Sequence, residues 1–323
     1  MTRPSRTFEQ GIPDFNRFTT EDTGLFIQSI YDWGKWRFNS GVRWDHNSLY
    51  GSEISPRVAM IYHHSATKTF KLVYGEAFQE PSPKDLYGTW NGRGANADLQ
   101  PEQVKNFELI ALLQTRYWLH DVSIFHAQYE NAIVSAQNIG SRTIQGFEYR
   151  GQYHFSNPFS ATQDISGEFY YTYTDAVADQ QFENASGEWV NQSDEQGDIA
   201  PHKIHWGINI PAYQYWNVYL GVNWASAREL FSQNPLRAEY NDARENNRNA
   251  DSYITADINL QYRRGPITVG LRIENVFEED DRAPGVEVAS SGDDFSRDYD
   301  GFQNSMLPQV KKRSYGLNVK WEL

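Results

Sequence analysis

The chain ends in segments whose apolar and polar residues alternate almost without interruption. Between 252 and 262 the even positions carry mostly apolar side chains such as Ile254 and Leu260, and the odd positions carry polar ones such as Asp257. The same alternation runs through 267–274 and 315–323. A period of two is typical of β-strands, because successive side chains point to opposite faces. Strands with one apolar and one polar face suit a wall between lipid and water, so the pattern predicts a transmembrane antiparallel β-barrel.

The composition agrees with a barrel and excludes membrane helices. The chain has 323 residues and a mean hydropathy of −0.71. It contains no run of about 18 apolar residues, the length that a membrane helix needs. A barrel escapes this test because only alternate strand residues face lipid. Many of the aromatic residues lie near predicted strand ends, where amphipathic rings meet a membrane surface. A soluble β-sandwich or propeller with an aromatic core is the alternative fold.

Charge and cysteine content limit the chemistry that the chain can perform. The net charge of −13 argues against nucleic-acid binding, which needs a basic surface. The absence of cysteine excludes disulfides, thiolate metal sites and cysteine nucleophiles. Acidic residues are concentrated in 178–198 and 278–300. We interpret these stretches as solvated loops, and binding of a divalent cation or of a cationic ligand is the alternative.

We predict thirteen strands, joined by connections that alternate between short and long. The strands are 24–33, 35–45, 54–62, 69–77, 103–114, 118–129, 142–155, 162–176, 203–210, 216–225, 252–262, 266–275 and 312–323. The long connections are 78–102, 130–141, 177–202, 226–251 and 276–311. Long outer loops on one rim and short periplasmic turns on the other are typical of bacterial outer-membrane barrels. Residues 1–22 are expected to be the end of an outer loop or a disordered N-terminus, and 23–323 to be barrel.

The strand count is odd, whereas single-chain bacterial barrels have an even number of strands. Either one strand is missing from the prediction, or the chain is the C-terminal part of a larger barrel. A barrel that lacks strands has two open edges, whose backbone groups lipid cannot satisfy.

Short motifs in a fixed order add a family resemblance to this pattern. They are TGLFIQ at 23–28, GVRWD at 41–45, SPRVA at 55–59, YGEAFQEPS at 74–82 followed by DLY at 85–87, DLQPE at 98–102 with Glu108, GFE at 146–148 and ENVF at 274–277. Together they resemble the C-terminal barrel portion of the TonB-dependent outer-membrane receptors. The resemblance covers nearly the whole chain.

The resemblance implies that the chain is a barrel fragment. Complete receptors of the family begin with a signal peptide, an energy-coupling box and a plug, and have about 22 strands. The first three are not visible in this sequence, so we expect a partial barrel with the plug and the early strands absent. The family usually ends on Phe, which the barrel-assembly machinery reads, whereas this chain ends on Leu323.

The implied function is energy-coupled uptake of a scarce nutrient, such as a ferric siderophore, haem, cobalamin or a glycan. The expected partners are the nutrient chelate, outer-membrane lipid, the barrel-assembly machinery and, through the plug, the inner-membrane energy-transducing complex. No enzymatic activity and no cofactor are expected. A plugless passive porin or fatty-acid-type channel of about fourteen strands is the alternative, and a barrel hydrolase is a third possibility.

Two groups of residues are candidates for function. Aromatic and cationic residues in the outer loops are suited to stacking on a chelate and meeting its negative charge. They are Trp90, Arg93, Phe182, Trp189, Phe231, Tyr240, Phe295, Tyr299 and Phe302. By parity and by the family resemblance, a second group is expected to face the lumen and the plug, namely Arg43, Glu148, Arg150 and Arg272. A structural network of wall charges is the alternative role for the second group.

The eight histidines do not predict a metal site. His63 and His64 are adjacent, and His202 and His205 are separated by an odd number, so the members of each pair point to opposite faces of a strand. No G-x-S-x-G, H-E-x-x-H or phosphate-binding loop is present.

Overall fold

A computed structural model of the chain shows β-strands and, among its described residues, one short helix. It describes residues 2–10, 16–87, 95–134, 136–160, 163–183, 189–195, 199–229, 249–279 and 313–322. Within these ranges, none of the helical residues belong to a segment long and apolar enough to cross a membrane.

The strands follow one another along the chain with few interruptions. They are β1 (Thr2–Gln10), β2 (Asn16–Trp33), β3 (Trp36–Asn47), β4 (Gly51–Ser65), β5 (Lys68–Gln79), β6 (Glu102–Gln114), β7 (Trp118–Val134), β8 (Gln137–Phe155), β9 (Ile165–Glu183), β10 (Trp189–Glu195), β11 (His202–Ala212), β12 (Trp216–Ala225), β13 (Arg228–Glu229), β14 (Asn249–Ala250), β15 (Tyr253–Arg264), β16 (Ile267–Glu274) and β17 (Ser314–Trp321). The helix α1 (Pro83–Tyr87) lies between β5 and β6.

Fifteen of these strands form one antiparallel sheet. The order of pairing is β1 to β9 in sequence, followed by β11, β12, β15, β16 and β17, and β10 pairs with the C-terminal part of β9. The thirteen predicted strands are all present. The two additional strands of the sheet are β1 and β10, and the short β13 and β14 pair separately.

The strand ends differ from the sequence prediction mainly in three places. In the connection expected at 177–202, β9 continues to Glu183 and β10 pairs with it. Residues 2–10 and 16–22, expected in a loop or a disordered segment, belong to β1 and β2, which pair with each other. The connection expected at 130–141 is reduced to two residues, because β7 continues to Val134 and β8 begins at Gln137. Polar residues occupy both parities in these stretches, so the period of two that reveals a strand in the sequence is absent.

The described contacts divide the chain into two units. Unit 1 consists of Met1–Leu112, Ser123–Gly146 and Asp175–Glu195, and unit 2 of Leu113–Val122, Phe147–Thr174 and Gln196–Leu323.

In unit 1 the register places most polar side chains on one face of the sheet and most apolar side chains on the other. Residues opposite each other on paired strands share a face of the sheet. Arg43 lies opposite Ser55, whereas its neighbour Trp44 lies opposite Ile54 and Leu25. The apolar side chains are open to the surroundings, since Ile54 is 61% and Leu25 69% exposed. A wide apolar face of this kind suits contact with lipid.

Unit 2 has the same division. Leu271 lies between Leu260 and Leu317, and Leu317 is 73% exposed. On the other face, Asn259 lies between Tyr219 and Arg272. The alternation that the sequence shows in its last strands is therefore a division between an apolar and a polar face of the sheet.

Candidate functional site

A cavity of about 880 Å³ lies on the polar face of unit 1, and we call it the wall cavity. Side chains of β2, β3 and β4, among them Gln28, Arg43 and Arg57, line one side of it. The other side is formed by the end of β5 and by residues 80–83, the first part of the segment 80–87, which we call the strap. The volume lies within the range of about 300–1,000 Å³ that is typical of ligand pockets.

The two arginines of the wall cavity differ in their partners. Arg43 donates from Nε and Nη2 to Oδ1 of Asp45, at 3.0 and 2.6 Å. Arg57 makes no hydrogen bond or ion pair with any residue that the structure describes, and its side chain is exposed. The residues opposite Arg57 on β3 and β5 are Gly41 and Gly75. Because both neighbours lack a side chain, open space surrounds the Arg57 side chain on the polar face.

Tyr50 fixes the junction between the strap and the sheet. Its ring meets Phe78 edge-on at 6.3 Å between centroids, and its hydroxyl donates to the carboxylate of Glu80. Burial, followed by the negative charge of Glu80 and the hydrogen bond to it, raises the pKa of the Tyr50 hydroxyl well above its usual range. The tyrosine therefore stays neutral and keeps its proton on the Glu80 side.

A smaller cavity of about 190 Å³ adjoins this junction. Asp22 and Asp45 line it, and the Oδ2 atom of each is buried without a hydrogen-bond partner among the described residues. The other oxygen of Asp22 accepts a hydrogen bond from Asn47 at 2.5 Å. A buried carboxylate oxygen without a hydrogen-bond donor lowers the stability of the folded chain. Asp22 and Asp45 therefore destabilise this part of unit 1.

A small buried cluster anchors the strap. Leu99, which is 1% exposed, packs with Leu86 and Ala136 at the β7–β8 connection. The side-chain amide of Asn138 both accepts from the Gln100 nitrogen at 2.8 Å and donates to the Gln100 oxygen at 2.9 Å. These contacts hold both ends of the β5–β6 connection against β7 and β8, so one side of the wall cavity is preorganised.

The local sequence explains why the strap turns at α1. The Ser82 hydroxyl accepts a hydrogen bond from the backbone nitrogen of Asp85 at 3.1 Å, as an N-cap residue does. Pro83 occupies the first helical position, where no backbone N–H is needed.

On unit 2 the polar face is largely satisfied by its own side chains. His205 contacts the Asn223 oxygen through Nδ1 at 2.7 Å and Glu168 through Nε2 at 3.4 Å. The Tyr170 ring stacks on His205, and its hydroxyl donates to Glu168. A groove of about 500 Å³ nearby is lined by Glu168 and Tyr219. We interpret this network as structural, because its polar groups pair with one another.

The structure places the predicted wall residues as follows. Arg43 lines the wall cavity. Arg150 and Arg272 form ion pairs on the polar face of unit 2, with Asp121 at 2.5 Å and with Glu274. Glu148 is half-buried on β8. Arg150 and Arg272 thus fit the alternative role in a network of wall charges, and a role in contact with a plug stays a prediction for all four.

Most of the predicted loop residues lie outside the described residues. These are Trp90, Arg93, Phe231, Tyr240, Phe295, Tyr299 and Phe302. In the β9–β10 hairpin Trp189 lies opposite Glu183, and Phe182 lies opposite Val190. The structure describes only the backbone of Trp189 and Phe182. Their roles in ligand contact stay predictions.

Several residues of the wall cavity and of its junction with the strap were not among the sequence candidates. The main ones are Arg57 and Glu80, which line the wall cavity, and Tyr50, which lines the smaller cavity beside it. For Arg57 the signal was present but spread over three strands, because it consists of one arginine and the glycines at 41 and 75. Only the strand register brings these three positions together.

A metal site would need several ligating side chains close together in the described part of the chain. Within it, no group of three His, Cys, Asp or Glu residues is placed to hold a metal ion.

Comparison with known proteins gives a consistent result. The profile of the family described as TonB dependent receptor-like, beta-barrel matches residues 2–276. The vitamin B12 transporter BtuB of Vibrio cholerae is 23% identical over 271 residues, which are 81% of this chain and 39% of that protein. BtuB of Photobacterium profundum is 25% identical over 277 residues. The chain thus spans about two fifths of the length of these curated relatives.

Solved structures show the same fold at lower sequence identity. The siderophore receptor PirA of Acinetobacter baumannii is similar with a TM-score of 0.66 and 16% identity, over 94% of this chain and 46% of PirA. The ferric yersiniabactin uptake receptor FyuA of Yersinia pestis is similar with a TM-score of 0.64 and 14% identity, over 95% of this chain and 46% of FyuA.

Proposed function

The chain belongs to the TonB-dependent receptor-like β-barrel family, and on this premise we propose that it is the barrel segment of an energy-coupled receptor for a scarce nutrient. Members of the family are located in the outer membrane of Gram-negative bacteria, and so is this protein. The apolar face of the sheet contacts the lipid of that membrane.

The observation that carries the proposal is the position of the wall cavity. It lies on the polar face of the sheet, at the end where β5 leaves for the strap, and its volume suits a ligand. A nutrient arriving from outside would meet the strap first and the wall next. Because Leu99 and Ala136 pack on Leu86 and so anchor the strap, the cavity exists before a ligand arrives.

The relatives indicate the range of nutrients. Two are named as transporters of vitamin B12, and one similar structure is of a receptor for ferric yersiniabactin. We propose that this protein takes up a nutrient of the same kind, a metal chelate or a cobalamin. The loop residues Trp90, Arg93, Trp189, Phe231, Tyr240 and Tyr299 would contribute to its binding.

Uptake against a gradient needs energy from the inner membrane. We propose that a plug inside the barrel couples the receptor to the energy-transducing complex and that the polar wall residues contact this plug. The barrel itself performs no bond chemistry, and its selectivity comes from its contacts with the ligand.

Nutrient-dependent growth tests the proposal. The source bacterium, with and without the gene, would be grown on haem, on several ferric siderophores or on cobalamin as the limiting source. We expect the deletion to abolish growth on one nutrient, and restoration of the gene to rescue it. A protonophore should abolish uptake of the radiolabelled nutrient.

Two results would contradict the proposal in different ways. Uptake that persists in the presence of the protonophore would indicate a passive channel. If the deletion left growth and uptake unchanged on every nutrient tested, the protein would not be a receptor for any of them.

A further inference from the structure

We infer that Arg57 is an oxyanion-binding residue of the wall cavity and that the ligand presents a carboxylate or a similar anionic oxygen to it. This inference rests on the proposed function and names the chemistry of one contact at the same site.

Two glycines frame Arg57. On β4 it lies opposite Gly41 of β3 and opposite Gly75 of β5. A Cβ atom at position 75 would lie 3.8 Å from Cγ of Arg57, an ordinary contact, so a side chain there would fit. Glycine inside a strand weakens the strand and often marks a place where a ligand approaches closely. The absence of side chains on both sides leaves the guanidinium accessible from the cavity.

The charges of the wall cavity leave Arg57 as the group in need of a partner. Of the carboxylates that line the cavity with the two arginines, Asp45 holds Arg43 through Oδ1 and Glu80 accepts from Tyr50. Glu76 accepts from the hydroxyl of Tyr74 at 2.5 Å and lies with it on the other face of β5, where Tyr74 is opposite Val58. A guanidinium presents a planar set of donors that matches a carboxylate or phosphate in a bidentate pair.

The aromatic side chains that line the wall cavity indicate that the ligand also has an apolar part. Phe26 lies on the polar face opposite Arg43, is 71% exposed and lines the same cavity. Phe78 lines the strap side and is held by Tyr50. Exposed rings beside an arginine suit a ligand with a flat apolar body and an anionic group. We therefore assign the wall cavity to a small amphipathic anion.

The test uses pyranine, a fluorescent pyrene trisulfonate, as the probe. Its anisotropy would be titrated with the full chain in neutral detergent micelles at low salt, after circular dichroism has verified the strand content. We expect Arg57→Gln to weaken binding about tenfold, as the loss of one charge-assisted contact does at a partly exposed site. Citrate should compete with the probe for the wild-type chain.

A second variant tests the same contact while Arg57 is retained. Gly75→Asp places a carboxylate opposite Arg57, which should occupy the guanidinium and weaken probe binding to a similar extent. Gly75→Ala fills the same space without charge and should bind pyranine within about twofold of wild type. Arg37→Gln removes an arginine that is paired with Asp32 outside the cavity, and it should leave binding unchanged.

The outcomes separate this inference from the proposed function. No binding of pyranine to the wild-type chain, equal binding by Arg57→Gln, or an equal loss with Arg37→Gln would overturn the role of Arg57. None of these results would contradict the proposed receptor function, which nutrient-dependent growth tests separately. Conversely, growth that is independent of the gene would end the receptor proposal even if pyranine binds at Arg57.

Discussion

Replacement of Leu99 by alanine should detach the strap from the sheet while leaving the strands intact. Leu99 is 1% exposed and packs on Leu86 and Ala136. Truncation to alanine removes three carbon atoms, worth about 2.4 kcal/mol at about 0.8 kcal/mol per buried methylene group. The cavity left behind adds to this cost, and Leu→Ala substitutions in cores span about 2–5 kcal/mol.

The effect should be local. The cluster around Leu99 joins the β5–β6 connection to the β7–β8 connection and contains no strand-to-strand packing of the sheet. If the local opening free energy falls by about 2 kcal/mol, amide hydrogen exchange in the connection accelerates about thirtyfold. Exchange in β3 and β4 should not change.

Hydrogen–deuterium exchange of the chain in micelles measures this directly. The readout is the exchange of peptides that cover 80–87 and 95–101, compared with peptides from β3 and β4. Leu109→Ala is the matched control, because Leu109 lies on β6 of the same unit and is 47% exposed. Unchanged exchange in the connection would refute the anchoring role of Leu99, and so would an equal acceleration in all strands.

Two further predictions concern the junction and the close contacts of unit 2. Because the pKa of Tyr50 is raised in the folded chain, the neutral hydroxyl stabilises the fold fully below about pH 10, the ordinary pKa of tyrosine. This stabilisation is lost as the pH rises further and the hydroxyl ionises. Tyr50→Phe should therefore flatten the alkaline fall in thermal stability, and an unchanged profile would contradict this. Gly167→Ala places a Cβ against the Tyr153 ring and should cost about 1–3 kcal/mol in denaturant unfolding, whereas Gly316→Ala, whose nearest contact is 3.8 Å, should cost much less.

The fold follows from the sequence wherever one face of a strand is apolar. The strands β15, β16 and β17 alternate so regularly that their bounds could be predicted within a few residues. The ends of β7 and β8 and the whole of β1 escaped prediction because polar residues occupy both parities there. Beyond the lipid, no face needs to be apolar, and the period of two disappears although the backbone pairing continues.

The site was less accessible from the sequence. Arg43 was predicted on the polar face by parity, and the structure places it in the wall cavity. Arg57 was not predicted, although it lies in a motif that carried the family resemblance. Its significance depends on the two glycines opposite it, and register between strands is set by pairing and turns that a single sequence does not display.

The central claim is that the polar face, with the wall cavity, is the aqueous side of an outer-membrane wall. Since the chain has no cysteine, single cysteines can be introduced on neighbouring residues of β4 and labelled in intact cells with a water-soluble maleimide. The account predicts that Ser55→Cys, on the cavity side, reacts and that Ile54→Cys and Val58→Cys, on the apolar face, do not. Labelling of both apolar-face positions, with Ser55→Cys protected, would contradict it.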